Sequence, residues 1–226
     1  MFDDLSEEEL KLWIEDSLSQ GTHTLASGYQ GQTLKYESPQ HQLVIKVPHG
    51  KSLLRKLHVF MVRHEYRAYQ KLGGLETVPK CYGLVDQQYL VLQYINAQPI
   101  RHCRPDNDEV YFQQLLDSIK KMHVLGVAHF DLKKRDNLLV ENGDTPCIID
   151  FGAAVINKPG FHPLQHYWFR VAKHFDYNAW IKHKYQNQFD EISADDRQYY
   201  NVTFIEWFSR KIKRFYKDHL RIKPRA

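Results

Sequence analysis

The stretch from Met122 to Ala153 constrains this chain more than any other part of it. Two short apolar runs, Asn137-Leu138-Leu139-Val140 and Cys147-Ile148-Ile149, flank Glu141-Asn142-Gly143-Asp144. Asn-Gly tolerates the positive φ angles of a tight turn between right-twisted strands, so the runs are predicted to pair as a hairpin. At the mouths of these strands stand Asp131, Lys133, Asn137 and Asp150. Such groups can be solvated turn residues and nothing more. They can equally form a phosphoryl-transfer site, with Asp131 as base and Asn137 and Asp150 on magnesium.

Composition sets the outer limits. A chain of 226 residues, 42% hydrophobic, can form one large domain or two small lobes around a sizeable core. A formal net charge of +4 is mild and gives no reason to expect a nucleic-acid partner. Cys81, Cys103 and Cys147 are odd in number and far apart. They fit neither a disulfide framework nor a zinc site, which points to a reducing cytosol. No histidine pair carries the HExxH motif of a metal helix. No apolar run approaches the length needed to span a bilayer, and the acidic N-terminus does not read as a signal peptide.

From the N-terminus, Leu5 to Leu18 reads as an amphipathic helix. Ser6 and Glu9 form a capping box, Leu10, Trp13, Ile14 and Leu18 share one face, and Gly21 stops it. Leu25 to Tyr36 follows, with Gly28 and Gly31 between β-type runs. This pair is either a hairpin turn or a place where backbone N–H groups approach phosphate oxygens closely. Gln42 to Val47 is a β-type run containing Lys46. An ammonium there must snorkel out of an edge strand or find a partner, because burying it alone is costly. The next segment, Lys51 to Leu72, is helical by pattern, and between Lys46 and Leu75 the only acidic residue is Glu65. A single carboxylate on a long basic helix makes sense if it pairs with Lys46. Cys81 to Val85 and Tyr89 to Ile95 complete a small antiparallel sheet. A helix from about Asp108 to Leu125 carries Phe112, Leu115, Leu116, Ile119 and Met122 as a core stripe, with Gly126 past its end.

His129-Phe130-Asp131-Leu132-Lys133, followed across the hairpin by Asp150-Phe151-Gly152, resembles the catalytic and metal-binding loops of the protein-kinase-like family. The resemblance runs from about Leu25 to Gly152. It implies an α+β, two-lobed fold in one domain over 1–226, with an N-terminal sheet lobe to about residue 95 and a reduced, mainly helical lobe from about 96. ATP would lie between the lobes as a Mg2+ complex. Gly28 and Gly31 match the last two glycines of the family's phosphate-covering loop, with Ala26 where the first would stand. Lys46 matches the lysine that holds the α- and β-phosphates, Glu65 its partner. Leu92 would stand behind the adenine, and Gln93 to Ile95 would offer it backbone hydrogen bonds. His129 would brace the loops without doing chemistry, Asp131 would take the acceptor's proton, and Lys133 would steady the γ-phosphate.

Beyond Gly152 the sequence departs from ordinary protein kinases, for it has no Ala-Pro-Glu. In this it is similar to the minimal kinases, the RIO type and the lipopolysaccharide-core sugar kinases, although those sugar kinases often lose the glycine that this chain keeps in Asp150-Phe151-Gly152. Phe161 to Tyr185 is aromatic-rich and predicted helical, with Arg170, Asp176 and Trp180 as candidate anchors. Val202 to Ala226 is amphipathic and basic. It reads as a packed helix with a solvated basic face, or as a surface for peripheral contact with an anionic membrane or nucleic acid. The leading expectation is a cytoplasmic phosphotransferase acting on protein Ser/Thr. The alternatives are a lipopolysaccharide-core sugar kinase at the inner membrane face and an ATP-binding pseudokinase module.

The metal-binding amide raises a question of register. In the family the asparagine usually follows the catalytic aspartate by five positions, where this chain has Asp136, and Asn137 comes one later. The interval from Asn137 to Asp150 is the usual one. An extra residue within 133–136 is therefore the simplest account, with Asn137 keeping the role and Asp136 a solvated or cation-pairing residue. A one-residue slip inside the hairpin would instead turn every strand side chain over.

Overall fold

A computed structural model describes residues 4–28 and 31–201. Helix α1 (Glu7–Gln20) starts where the capping box predicts. The Ser6 hydroxyl accepts from the Glu9 N–H at 3.2 Å, and the Glu9 carboxylate accepts from the Ser6 N–H at 2.9 Å. The helix ends at Gly21, whose φ of 67° is left-handed. Leu10 and Ile14 are fully buried in a cluster with Leu34, Leu43, Ile45, Val85 and Val91, so α1 packs on one face of the sheet.

That sheet is antiparallel, in the order β1 (Thr24–Ser27), β2 (Gly31–Glu37), β3 (Gln42–Pro48), β5 (Tyr89–Gln93), β4 (Cys81–Val85). Alternation along β3 sends Leu43, Ile45 and Val47 to the α1 side and turns Lys46 to the other. Helix α2 (Ser52–Lys71) crosses that second side. Its Val62, Ala68 and Tyr69 join a larger core containing Leu90 and Leu92.

The same core continues into the second lobe through α3 (Asp108–Val124), whose Phe112, Leu115, Leu116, Ile119 and Met122 are buried. The predicted hairpin is present as β8 (Leu138–Glu141) and β9 (Thr145–Ile148), pairing Leu138 with Ile148 and Glu141 with Thr145. Asn142 and Gly143 have φ of 49° and 90°. β8 starts one residue later than its apolar run suggested, because Arg135–Asn137 forms a 3-10 turn ahead of it, and β9 starts two residues earlier than the run at Cys147. β6 (Gln98–Pro99) adds a third strand, and β7 (Val127–Ala128) pairs with β10 (Val155–Ile156). Helix α4 (Pro163–Lys184) closes the lobe against α3.

Two of the three anchors expected on α4 are buried. Trp180 donates its indole N–H to the Phe112 carbonyl at 2.7 Å, and Asp176 has no exposure. Arg170 lies on the exposed side, so its assignment as an anchor is corrected. The result is the α+β, two-lobed arrangement of the protein-kinase-like fold. No helix among the described residues is long and apolar enough to cross a membrane. The basic stretch from Val202 lies outside the described residues.

Candidate active site

Between the lobes lie two adjoining cavities of about 440 Å³ each, sharing Ala26, Thr33, Lys46, Lys134 and Asp150. One extends along Val44, Leu92, Ile95 and Leu139 and is largely apolar. The other is lined by Gly28, Gly31, Glu65 and Asp131 and is the more polar of the two. A flat ring fits the chemistry of the first, and charged oxygens that of the second.

Lys46 is the centre of the polar side. Its ammonium lies 2.6 Å from Glu65 Oε1 and 2.8 Å from Asp150 Oδ1. Burial alone would lower its pKa, but the two carboxylates outweigh burial and hold it above the ordinary lysine value. Burial, with the Asp150 charge, raises Glu65, while Lys46 and the Phe151 N–H at 3.1 Å pull the other way. Asp150 is more open. Burial would raise its carboxyl, yet the Lys46 ammonium leaves it below the usual carboxylate range.

The loop that carries Asp131 is pinned at many points. Asp176 on α4 accepts the backbone N–H of His129 and of Phe130, both at 2.8 Å, and meets His123 Nε2 at 3.0 Å. His129 Nε2 reaches the Ile149 carbonyl at 2.9 Å, tying this loop to the Asp150 segment. Phe151 is fully buried between the Tyr69 and His129 rings, with centroids at 5.0 and 4.7 Å. Phe130 and Asp150 both have φ of 68°, the left-handed region that non-glycine residues seldom adopt, and these contacts hold them there. Below the loop, His183 Nε2 bonds the Leu132 carbonyl at 2.8 Å. Burial pushes that imidazole down to about 4, so it is neutral and donates.

Asn137 is buried and commits its amide nitrogen to the Asp131 carbonyl at 3.1 Å and to Asp131 Oδ2 at 3.4 Å. Its side-chain oxygen is the atom left to meet a ligand. Asp136 forms an ion pair with Arg101 at 3.2 Å. The extra loop residue has a second effect. Lys133 Nζ lies 4.6 Å from the Phe175 ring centroid, whereas Lys134 lines both cavities, 3.8 Å from Asp150 Oδ2. Lys134 was not among the residues singled out from the sequence. Its only signal there was the one-residue excess between Asp131 and Asn137.

The two glycines differ. A Cβ on Gly31 would stand 2.0 Å from the Val47 carbonyl oxygen, so close approach of β2 to β3 requires glycine there. A Cβ on Gly28 would meet nothing within 4 Å, and the Gly28 N–H is already donated to the Gly31 carbonyl at 2.9 Å. At the edge of the apolar cavity, the Gln93 N–H goes to the Lys80 carbonyl at 2.8 Å and the Tyr94 N–H to Gln42 at 3.1 Å. Sheet pairing thus consumes two of the backbone donors expected to face a ligand. The Ile95 carbonyl accepts the Ala97 N–H at 3.0 Å, so the Gln93 carbonyl and the Ile95 N–H are the groups that remain for that purpose.

No protein-family model matches the chain. Among curated proteins it is similar to serine/threonine-protein kinase ppk8 of Schizosaccharomyces pombe, 31% identical over 123 residues, which are 50% of this chain and 23% of that protein. Sperm motility kinase 2A of Mus musculus is 29% identical over 110 residues, 49% of this chain and 22% of its own length. CBL-interacting protein kinase 32 of Oryza sativa is 28% identical over 126 residues, 51% and 28% of the two chains. The chain therefore spans about a quarter of the length of these relatives. Similarity near 30% over half the chain supports the protein-kinase-like superfamily.

Proposed function

We propose that this chain transfers the γ-phosphate of ATP to a hydroxyl group, that of a protein serine or threonine. The observation that carries the proposal is Lys46 held between Glu65 and Asp150, in the same cleft as Asp131 and Asn137. An ammonium braced by two carboxylates and opening on a polar cavity is a preorganised receptor for phosphate oxygens.

Each group has a task in this reading. The Gln93 carbonyl and the Ile95 N–H meet the adenine edge, with Leu92 behind the ring. Lys46 binds the α- and β-phosphates and Glu65 keeps it in place. The backbone at Gly28 and Gly31 covers the phosphates. Asp150 and Asn137 would hold magnesium. Two oxygen donors suit an ion that takes most of its ligands from water and phosphate, and no group of three or more His, Cys, Asp or Glu among the described residues offers a closed cage. When bound there, magnesium would offset charge on the phosphates of the leaving group. Asp131, oriented by Asn137, accepts the proton of the incoming hydroxyl. Lys133 follows Asp131 in the position expected for the cation at the transferred group, and the cleft-facing position of Lys134 supports a share of that role for it.

Incubating the purified chain with ATP labelled at the γ-phosphate, with lysate proteins in one arm and isolated lipopolysaccharide in another, tests the proposal. Label in protein on serine or threonine is the expected result. Label confined to glycolipid would move the acceptor to a core sugar. Label nowhere, with ATP bound, would leave a nucleotide-binding module and overturn the proposal.

A further inference from the structure

A separate cavity of about 560 Å³ lies outside the cleft. Its walls are the link from β6 to α3, the first turn of α3, the end of α4, and the Asp131 loop at Arg135. Arg101, Arg104, Arg135 and Lys182 line it, against one lining carboxylate, Asp108. Arg101 is paired with Asp136. Among the described residues no carboxylate lies in ion-pair range of Arg104, Arg135 or Lys182. Arg104 reaches the Gln186 side-chain oxygen at 2.9 Å, and Arg135 the Ile100 carbonyl at 2.7 Å. Both partners are neutral, so they orient a guanidinium without cancelling its charge. His183, on the same wall, is neutral and adds none.

Like charges gathered around one concavity repel each other, and no described carboxylate in ion-pair range offsets Arg104, Arg135 or Lys182. What they do is raise the potential inside a hollow whose wall is the loop carrying the proposed base. Arg135 stands four positions after Asp131, and the Leu132 carbonyl between them is bonded to His183 in the cavity wall.

We infer that this cavity receives acidic side chains that flank the accepting serine or threonine of a peptide. The inference rests on the phosphotransferase proposal above and names its substrate class. The planar fork of arginine matches a carboxylate in two-point contact, and three unneutralised cations around one hollow would hold carboxylates and repel a basic flank. The Asp131 loop and the cavity then divide the acceptor between them, hydroxyl to one and charge to the other.

The test uses the full chain and three serine peptides of equal length, with acidic, neutral and basic flanks. Binding is read by fluorescence anisotropy and transfer by labelled ATP. We expect kcat/KM for the acidic peptide to exceed that for the neutral one by about tenfold or more. Arg104→Glu with Lys182→Glu should abolish that preference and favour the basic peptide, with ATP affinity unchanged. Arg104→Gln with Lys182→Gln should erase the preference without reversing it, and serves if the reversed variant fails to fold. Equal use of acidic and neutral peptides by the parent would overturn the inference, and so would a preference that survives both variants. Affinity for a phosphorylated sugar with none for the acidic peptide would overturn it too. Acidic-peptide binding that the variants abolish, with no transfer by the parent, would refute phosphotransfer and uphold the cavity.

Discussion

The loop around Asp131 and the backbone at Gly28 line the same cleft and are held in opposite ways. The first is fastened to α4 by Asp176 and His183, to the Asp150 segment by His129, and to the β6–α3 link by Arg135. The second follows β1, which pairs with β2 alone and whose four residues are all exposed. The contrast follows from what each would do. A base and a metal-binding amide are effective only when held to a fraction of an ångström, whereas a cover over phosphates must let nucleotide in and out. Tight bracing and light bracing in one cleft put the preorganisation where, on the proposed function, the proton would move.

The loop should therefore be intolerant of change at its inner amide and tolerant one residue away. Asn137→Ala is expected to abolish magnesium-dependent turnover, while Asp136→Ala, whose carboxylate faces Arg101, retains most of it. Rates measured against magnesium concentration check both, and a severe defect in Asp136→Ala with a mild one in Asn137→Ala would reverse the assignment.

Lys46→Ala and Glu65→Ala should each reduce kcat/KM for ATP. Because the two groups act as one unit, the double variant should fall short of the sum by a coupling of about 0.5–3 kcal/mol. Simple additivity in a double-mutant cycle would detach Glu65 from the phosphate-binding task.

Acid should loosen the loop through His183. Its imidazole is held at about 4 in the folded chain against an ordinary 6.5. The unfolded state therefore binds more protons between those values, and stability falls as pH drops from 6.5 towards 4. The single-site limit of that loss is about 3 kcal/mol. His183→Gln, which can still donate to the Leu132 carbonyl, should flatten this part of a stability–pH curve from urea melts. An unchanged curve would remove His183 from the bracing.

The glycine turn predicts the smallest effects. Gly31→Ala should cost about 1–3 kcal/mol of stability through the clash with the Val47 carbonyl. Gly28→Ala should stay within about 0.5 kcal/mol and leave ATP affinity near the parent value. Thermal melts separate the two.

What the sequence made legible follows the same division. The capping box at Ser6, the hairpin at Asn142-Gly143 and the pairing of Lys46 with the one carboxylate on α2 all depend on local chemistry or on a choice with a single candidate. The bracing depends on tertiary contact. Asp176 reaches the loop from 47 residues away, and His183 reaches Leu132 from 51. No spacing rule joins positions so distant, and Arg170, on the same helix, looked just as suitable for an anchor. Lys134 was missed because family spacing favours Lys133, while the 3-10 turn at Arg135–Asn137 sets which of two adjacent lysines enters the cleft. Gly31 matched a phosphate-loop position, yet its lack of a side chain is first of all a requirement of the β2–β3 approach.

The most direct test of the central claim compares the parent chain with Asp131→Asn, measuring ATP binding by calorimetry and γ-phosphate transfer in parallel. Asn at 131 keeps the shape and the contact with Asn137 but cannot accept a proton. The account predicts ATP affinity within a few-fold of the parent, and transfer slower by about 10²- to 10⁴-fold. Transfer at the parent rate by the purified variant would contradict it, because Asp131 would not be the base and the cleft would have to be read anew.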